Sequence, residues 1–181
     1  MRPPRVIARR AFTLVEAIAT IVILSATGLV TTGIIMVAIR GYIDASTGAQ
    51  LQADLSVALD RCVRELRNIQ LDDAAATVAP DIDDLTTTSI RWDGDSSIAL
   101  SGTDLQIRMN GGTPAVLLGD VAGVTIRAYD ESNTQLAGSL TGAGCDQIRR
   151  LTIDLTAARS GLTESLRTKL FIRSTMIGAE P

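Results

Sequence analysis

Three groups of side chains in this sequence could do chemistry: a glutamate at the start of an apolar segment, a pair of cysteines, and a run of aspartates. They are Glu16; Cys62 and Cys145; and Asp81, Asp83 and Asp84. The 181 residues include no histidine, the commonest general base and a frequent metal ligand. Function must therefore be sought in these acids and thiols, or in the surfaces that the fold presents.

The cysteines do not form a catalytic or metal-binding set. Cys62 and Cys145 are 83 positions apart, unlike the close pairs of zinc and redox motifs. A cysteine nucleophile without histidine needs another activating base, and the sequence offers no candidate. We therefore expect no catalytic residue, no metal site and no cofactor, and we predict that the chain is not an enzyme.

The aspartates allow two interpretations. Asp81, Asp83 and Asp84 carry the oxygen ligands that Ca²⁺ prefers, but their spacing fits no complete calcium-binding loop. Pro80 stands directly before them and favours the start of a turn. A solvated turn is the preferred interpretation, and a calcium site stays the alternative.

Glu16 stands at the start of a segment long enough to cross a membrane. The uncharged run from Ala17 to Ile39 contains 23 residues, which form about 35 Å of helix at about 1.5 Å per residue. The hydrocarbon core of a bilayer is about 30 Å thick. Ionised groups inside it cost roughly 2.5–3.5 kcal/mol on insertion scales, so an acid at this place needs a specific explanation.

Three ordinary N-terminal signals fit the segment less well. Arg9 and Arg10 superficially resemble a twin-arginine export signal, but Glu16 interrupts the apolar region early and no Ala-x-Ala cleavage site ends it. A secretory signal has an apolar core of only about 7–15 residues. A plain single-pass anchor without cleavage is the remaining alternative.

The run Ala11-Phe12-Thr13-Leu14-Val15-Glu16 resembles the prepilin leader of type IV pilins and type II secretion pseudopilins. The resemblance implies that residues 1–11 form a leader, which a membrane peptidase removes after Ala11. The same enzyme would then methylate the new amino group of Phe12. The family more often has glycine before the cut, so Ala11 is a departure from the usual pattern.

The resemblance also implies a role for Glu16 in assembly. Cleavage would leave a free amine four residues before Glu16, and an α-amino group has a pKa near 7.7–8. In a bundle of such helices, the amine of one subunit could pair with Glu16 of the next and set the register of assembly. The alternative is an acid at a helix start, favoured by the helix dipole and solvated at the interface.

Charges on either side of the span predict its orientation. Four arginines precede it, and only Arg40 follows closely, so the positive-inside rule keeps the leader cytoplasmic and places the rest beyond the inner membrane. Removing the leader changes the formal net charge from −3 to −7. We therefore expect no nucleic-acid partner for the domain. The expected partners are the prepilin peptidase/N-methyltransferase, the inner membrane and other pilin or pseudopilin subunits.

Beyond the cytoplasm, disulfides persist, which gives the two cysteines a second interpretation. A bond between Cys62 and Cys145 would staple a helix to the strand region. The loop-closure model gives it roughly 4–5 kcal/mol, usually an overestimate. The alternative is two independent buried thiols that act as small hydrophobic side chains.

The elements that position these residues can be read from periodicity. After the span at 12–40, an amphipathic helix is predicted over 41–71, ending near Leu71 at Asp72 and Asp73. Its apolar stripe falls at helical spacing, and Arg61 and Glu65 form an i,i+4 pair on another side. The stripe residues are Leu51, Leu55, Leu59, Cys62, Leu66 and Ile69.

Residues 72–181 are predicted to form an antiparallel β domain that covers the stripe. Alternating or β-branched runs predict strands, and Ser160-Gly161 marks a turn. The predicted strands are 90–94, 104–110, 115–118, 121–129, 148–157 and 166–174. The fold class is therefore α+β: a long N-terminal helix, membrane-spanning in its first half and amphipathic in its second, packed on an antiparallel β-sheet.

The succession of strands around Trp92, Val116–Val121, Val124–Asp130 and Ile148–Leu155 resembles the J-type minor pseudopilins and related minor pilins. The resemblance implies a subunit at a filament tip. A membrane-anchored extracytoplasmic binding module with an uncleaved tether is the alternative from another class. A sensor ectodomain would need a cytoplasmic output domain, for which the residues before the span leave little room.

Overall fold

The structure, a computed structural model, describes residues 13–73, 75 and 78–176. The described residues up to Ala45 and those from Ser46 onward belong to two separate units. The long helix α1, Leu14–Arg67, is the first element of the chain and contributes residues to both units. In the second unit it packs on antiparallel sheets, so the predicted α+β fold is confirmed.

The second unit's part of α1 buries the apolar stripe that the sequence predicted. Among the six predicted stripe residues, the five within α1 are at most 3% exposed, and Ile69 just beyond it is 1% exposed. Ala58 joins the same face. The i,i+4 pair between Arg61 and Glu65 forms as well, with 2.9 Å between a guanidinium nitrogen and Oε1.

The helix ends at Arg67, four residues before the predicted end near Leu71. Asn68 closes a tighter turn by donating its backbone N–H to the carbonyl of Glu65. Leu71 then forms a β-bridge with Pro80. This extended pairing competes with the helix for the same backbone groups, so Asp72 and Asp73 lie beyond a helix that has already ended.

Six strands form the larger sheet, in the order β5-β4-β3-β2-β1-β7, and every neighbouring pair is antiparallel. They are β1 Ile82–Leu85, β2 Ser89–Trp92, β3 Ser96–Ser101, β4 Asp104–Arg108, β5 Ala115–Leu118 and β7 Leu140–Thr141.

Three longer strands form the second sheet, in the order β6-β8-β9. They are β6 Val121–Tyr129, β8 Arg150–Arg159 and β9 Leu162–Phe171. The β8–β9 hairpin turns at Ser160 and Gly161, both with positive φ. Two positive φ values are typical of a type I′ turn, whose twist matches the flanking strands.

The prediction of one sheet is therefore wrong, because the strands divide between two. The bounds of β5 and β6 are as predicted, whereas β8 begins two residues later and β9 four residues earlier than expected. The strands β1, β3 and β7 had not been predicted. β1 and β7 have four and two residues, and β3 is rich in serine, so none of the three has the apolar alternation that marks a strand in sequence.

One hydrophobic cluster joins α1 to both sheets in the second unit. Trp92, the chain's single tryptophan, is 1% exposed within it. Aliphatic side chains supply most of the rest, as expected for a chain with 3% aromatic residues.

Candidate membrane and assembly site

Thr13 caps the N-terminus of α1. Its Oγ1 accepts a hydrogen bond of 3.3 Å from the backbone N–H of Glu16, and its carbonyl accepts one of 3.1 Å from Ala17. A threonine followed three residues later by glutamate is the sequence pattern of a capping box. That signal was present in the sequence, and our reasoning about Glu16 missed it.

Glu16 lies in the first turn of α1, with its side chain exposed. An acid there interacts favourably with the positive end of the helix dipole. This position fits both interpretations of Glu16, because a carboxylate that is solvent-accessible in one copy is also available to a neighbouring one. Ala11 and Phe12, the predicted cleavage and methylation sites, lie outside the described residues, as does the rest of the leader.

The apolar part of α1 that follows Glu16 is exposed along its length. Leu14, Leu24 and Leu29 are 78%, 76% and 77% exposed, and none of the most hydrophobic 18-residue window is buried. A core helix of a soluble protein can be equally apolar, but it is covered by other elements. By length and composition, α1 is the one helix in the described part of the chain that could cross a membrane.

Hydroxyl groups within this segment are satisfied by the helix itself. They donate to backbone carbonyls three or four residues earlier, at 2.8–2.9 Å. The donors are Thr20, Ser25, Thr27, Thr31 and Thr32. Because a polar group without a partner is costly in lipid, these bonds make the polar residues of the segment compatible with a bilayer.

Cys62 and Cys145 are buried and belong to the same core cluster. The structure has both as free thiols, which is the alternative that the sequence left open beside a disulfide. Burial raises the pKa of Cys62 to about 12 and that of Cys145 to about 11. Nucleophilic attack needs the thiolate, so neither thiol has the properties of a reactive cysteine.

Two of the three aspartates after Pro80 form part of a strand rather than the predicted turn, and Asp81 lies directly before that strand. Asp83 and Asp84 lie in β1, which pairs with β2 and β7. The Oδ2 of Asp83 accepts the N–H of Gly94 at 3.1 Å. Proline is tolerated just before a strand because the N–H it lacks is not needed there.

The carboxylates of this region lie close enough to repel one another. The pKa of Asp81 is raised, first by burial and then by Asp93, Asp83 and other acids nearby. The pKa of Asp93 is also raised by burial, although a backbone hydrogen bond from Gln70 opposes the change. In the described part of the chain, no group of three or more acid or cysteine side chains has an arrangement suited to a metal ion.

Two ion-pair networks tie the second unit together, and sequence reasoning predicted neither. Asp154 on β8 accepts hydrogen bonds from Arg127 on β6 and Arg167 on β9, so its carboxylate bridges all three strands. These hydrogen bonds lower the pKa of Asp154, that from Arg167 most. The alternation of β8 predicts that Asp154 and Leu155 lie on opposite faces of the sheet. The partners of Asp154 on β6 and β9 could not be predicted, because they depend on the register of the strands.

Arg159 forms the second network. Its Nε donates to Asp120 at 2.9 Å, and another guanidinium nitrogen lies 3.1 Å from Asp54 of α1. The pair with Asp54 links the helix to the end of β8. All these contacts hold the fold, and none forms a catalytic arrangement.

A comparison with protein-family models and with curated proteins finds no match for this chain.

Proposed function

We propose that this chain is a subunit of a filament of the type IV pilin or type II secretion pseudopilin kind, anchored through α1. The observation that carries the proposal is the position of Glu16. It is an exposed carboxylate in the first turn of a helix whose following apolar segment is unburied and long enough to cross a membrane. The sequence around it resembles a prepilin leader.

Cleavage after Ala11 would make the assembly interaction possible. It would remove four arginines and leave the amine of Phe12 one helical turn before Glu16. Within a bundle, that amine would neutralise Glu16 of an adjacent subunit. A partly desolvated ion pair of this kind is strongly destabilised when one partner is removed, so a subunit in the wrong axial register would be disfavoured.

The proposed orientation follows the arginine bias. The leader faces the cytoplasm, and the domain after about residue 40 lies beyond the inner membrane. A minor subunit of the J type is the more specific form of the proposal. The role is structural, and the proposed partners are the peptidase/methyltransferase and neighbouring subunits rather than a substrate or cofactor.

The substitution Glu16→Ala tests the proposal. We expect loss of assembly with membrane insertion retained, measured by shearing filaments from cells and by fractionating membranes. Asp44→Ala is the matched control, because Asp44 is an exposed acid farther along the same helix and should not affect assembly. Normal assembly of Glu16→Ala subunits would contradict the proposal.

The second candidate function is a tethered binding module. Thr13 favours it, since the capping interaction with the Glu16 backbone accounts for the start of the helix without any neighbour. A tether would tolerate Glu16→Ala, or insert more readily, because an ionisable group leaves the apolar segment. It would also keep residues 1–11, whereas a pilin subunit would lose them.

A further inference from the structure

The free edge of β9 is the longest sheet edge in the described part of the second unit. β9 is ten residues long, lies at the end of its sheet, and keeps an unbroken register with β8. Among the described residues, its strand pairing is with β8 alone. An unpaired edge of this length is a template for another extended segment.

Other sheet edges are shorter or partly covered. The edge strands of the larger sheet, β5 and β7, have four and two residues. β6 is contacted along its outer side, because Ile126 donates to the carbonyl of Thr87 at 2.8 Å and Ala128 accepts from Leu136 at 2.9 Å. The β9 edge therefore differs from the rest in both length and exposure.

Hairpin geometry specifies which residues offer free backbone groups. In a two-residue type I′ hairpin, the pair flanking the turn is hydrogen-bonded, here Arg159 and Leu162. Bonded and non-bonded pairs then alternate. The odd-numbered residues of β9 consequently direct their N–H and C=O groups away from β8. They are Thr163, Ser165, Arg167, Lys169 and Phe171.

The same residues place positive charge along this edge. Arg167 and Lys169 are both exposed, and Lys169 is the chain's single lysine. Arg167 is paired with Asp154, whereas Lys169 has no ion pair among the described residues. A second copy of β9 would bring like charges together in the registers centred on Arg167 or Thr168, so self-pairing is disfavoured there.

A cavity at the end of β9 continues this basic surface. Its volume is about 600 Å³, and Phe171, Arg149, Arg150, Val78 and Met176 are among its lining residues. Arg149 donates to three backbone carbonyls, and the Arg150 guanidinium lies 5.2 Å from the centre of the Phe171 ring.

Neither arginine forms an ion pair with a carboxylate in the described part of the chain. Glu131 also lines the cavity, so the site is not uniformly basic. Two unneutralised guanidinium groups beside exposed apolar side chains suit an anionic group attached to an apolar one. Phe171 and Met176 are 49% and 52% exposed there.

We propose that β9 and this cavity bind an extended acidic peptide segment of a partner protein, which adds as a fourth strand to the sheet. Backbone hydrogen bonds along the edge supply affinity, and alternate side chains supply specificity. Residues opposite Arg167 and Lys169 should be acidic, and those between them, which neighbour Leu166 and Leu170, should be apolar. The proposal does not depend on filament assembly.

The probe is a fluorescent peptide in which glutamate alternates with valine; the control peptide has glutamine in place of glutamate. Binding is measured by anisotropy with the full chain in detergent. We expect the glutamate peptide to bind at least about tenfold more tightly, since two charge-assisted contacts are lost in the control. Equal binding of both peptides, or none at millimolar concentration, would overturn the proposal.

Lys169→Pro separates edge pairing from general charge attraction. The Lys169 N–H faces away from β8, so proline removes a donor that the peptide needs without removing a ladder bond. Binding should be lost, whereas Arg108→Gln on β4, an exposed charge on the other sheet, should leave it unchanged. If Lys169→Pro does not fold, Lys169→Glu replaces it and should weaken binding of the glutamate peptide.

Carbodiimide cross-linking locates the bound peptide. It joins a peptide carboxylate to an amine by forming an amide bond with net loss of water. Because Lys169 is the one lysine, peptide mapping should find the cross-link there. A cross-link found only at the chain's N-terminal amine, or an oligonucleotide that displaces the peptide at equal affinity, would contradict the proposed partner.

Discussion

The two units of the chain use the same apolar residue types in opposite ways. Between residues 13 and 45, leucine, isoleucine and valine side chains are exposed, whereas those of the second unit's core are almost completely buried. A leucine in the first unit gains nothing from its own fold and needs lipid or another helix. Burial therefore concentrates stability in the second unit, and we propose that the exposed helix of the first unit serves membrane association and assembly.

The largest effect should come from the helix face that the second unit buries. Leu55→Ala removes a side chain that is 1% exposed and should lower the free energy of unfolding by about 2–5 kcal/mol. Urea unfolding of the full chain in detergent, followed by Trp92 fluorescence, measures the change. Val57→Ala is the control, because Val57 is 69% exposed on the same helix. An equal loss of stability there would contradict the claim that burial in the second unit supplies the stability.

The buried thiols should be protected by the fold of the second unit. Cys62 and Cys145 have pKa values raised from 9.0 to about 12 and about 11. Because the unfolded thiols lose their protons first, this contribution to stability is present below pH 9 and is lost as the pH rises through these values.

Thiol labelling tests the same pair directly. If both thiols are free and buried, as in the structure, labelling of the native protein should be slow. Denaturation without reductant should then release two reactive thiols. A disulfide, one of the two interpretations that the sequence left open, would release none. Rapid labelling of native protein would show that the core around them opens readily.

A smaller effect is expected at the bridge across the three-stranded sheet. Asp154→Asn removes the carboxylate that pairs with Arg127 and Arg167 and should cost about 1 kcal/mol at neutral pH. The pKa of Asp154 is lowered in the folded protein, so its contribution is present above the unfolded value. It is lost as the pH falls through the folded one. Parallel pH–stability curves for wild type and variant would contradict this account.

The smallest effect should fall on the first unit. Thr13→Ala removes the cap of α1 and should destabilise the helix start by about 0.5–1 kcal/mol. Hydrogen exchange at the Glu16 amide should become faster, while the core of the second unit keeps its protection. Thr13→Ser retains the hydroxyl and should behave as wild type. Faster exchange throughout the core would show that the two regions are coupled.

Periodicity revealed the helix and most of the strands because burial repeats with the geometry of each element. The stripe from Leu51 to Leu66 and the alternation of β8 are such repeats. The division into two sheets was not predictable in this way, since it depends on pairing partners far apart in sequence. The strands β1 and β7 are too short to show a repeat, and the serines of β3 obscure its repeat.

The same distinction between local patterns and long-range contacts applies to the candidate sites. Glu16 was found from sequence because a charge before a long apolar segment is locally conspicuous, and Thr13 could have been found from its spacing. The cavity beside Arg149, Arg150 and Phe171 could not be found in this way, because it joins residues from two strands, three connecting segments and the 3₁₀-helix after β9. Its significance comes from which arginines have carboxylate partners, and only the folded chain shows that.

Mass spectrometry of the protein purified from its native membrane tests the central claim most directly. Our account predicts a chain that begins at Phe12, carries one added methyl group on its amine, and lacks residues 1–11. A protein that still begins at Met1, or one whose first residue is unrelated to Phe12, would contradict the proposed pairing with Glu16, because the amine that it requires would not exist.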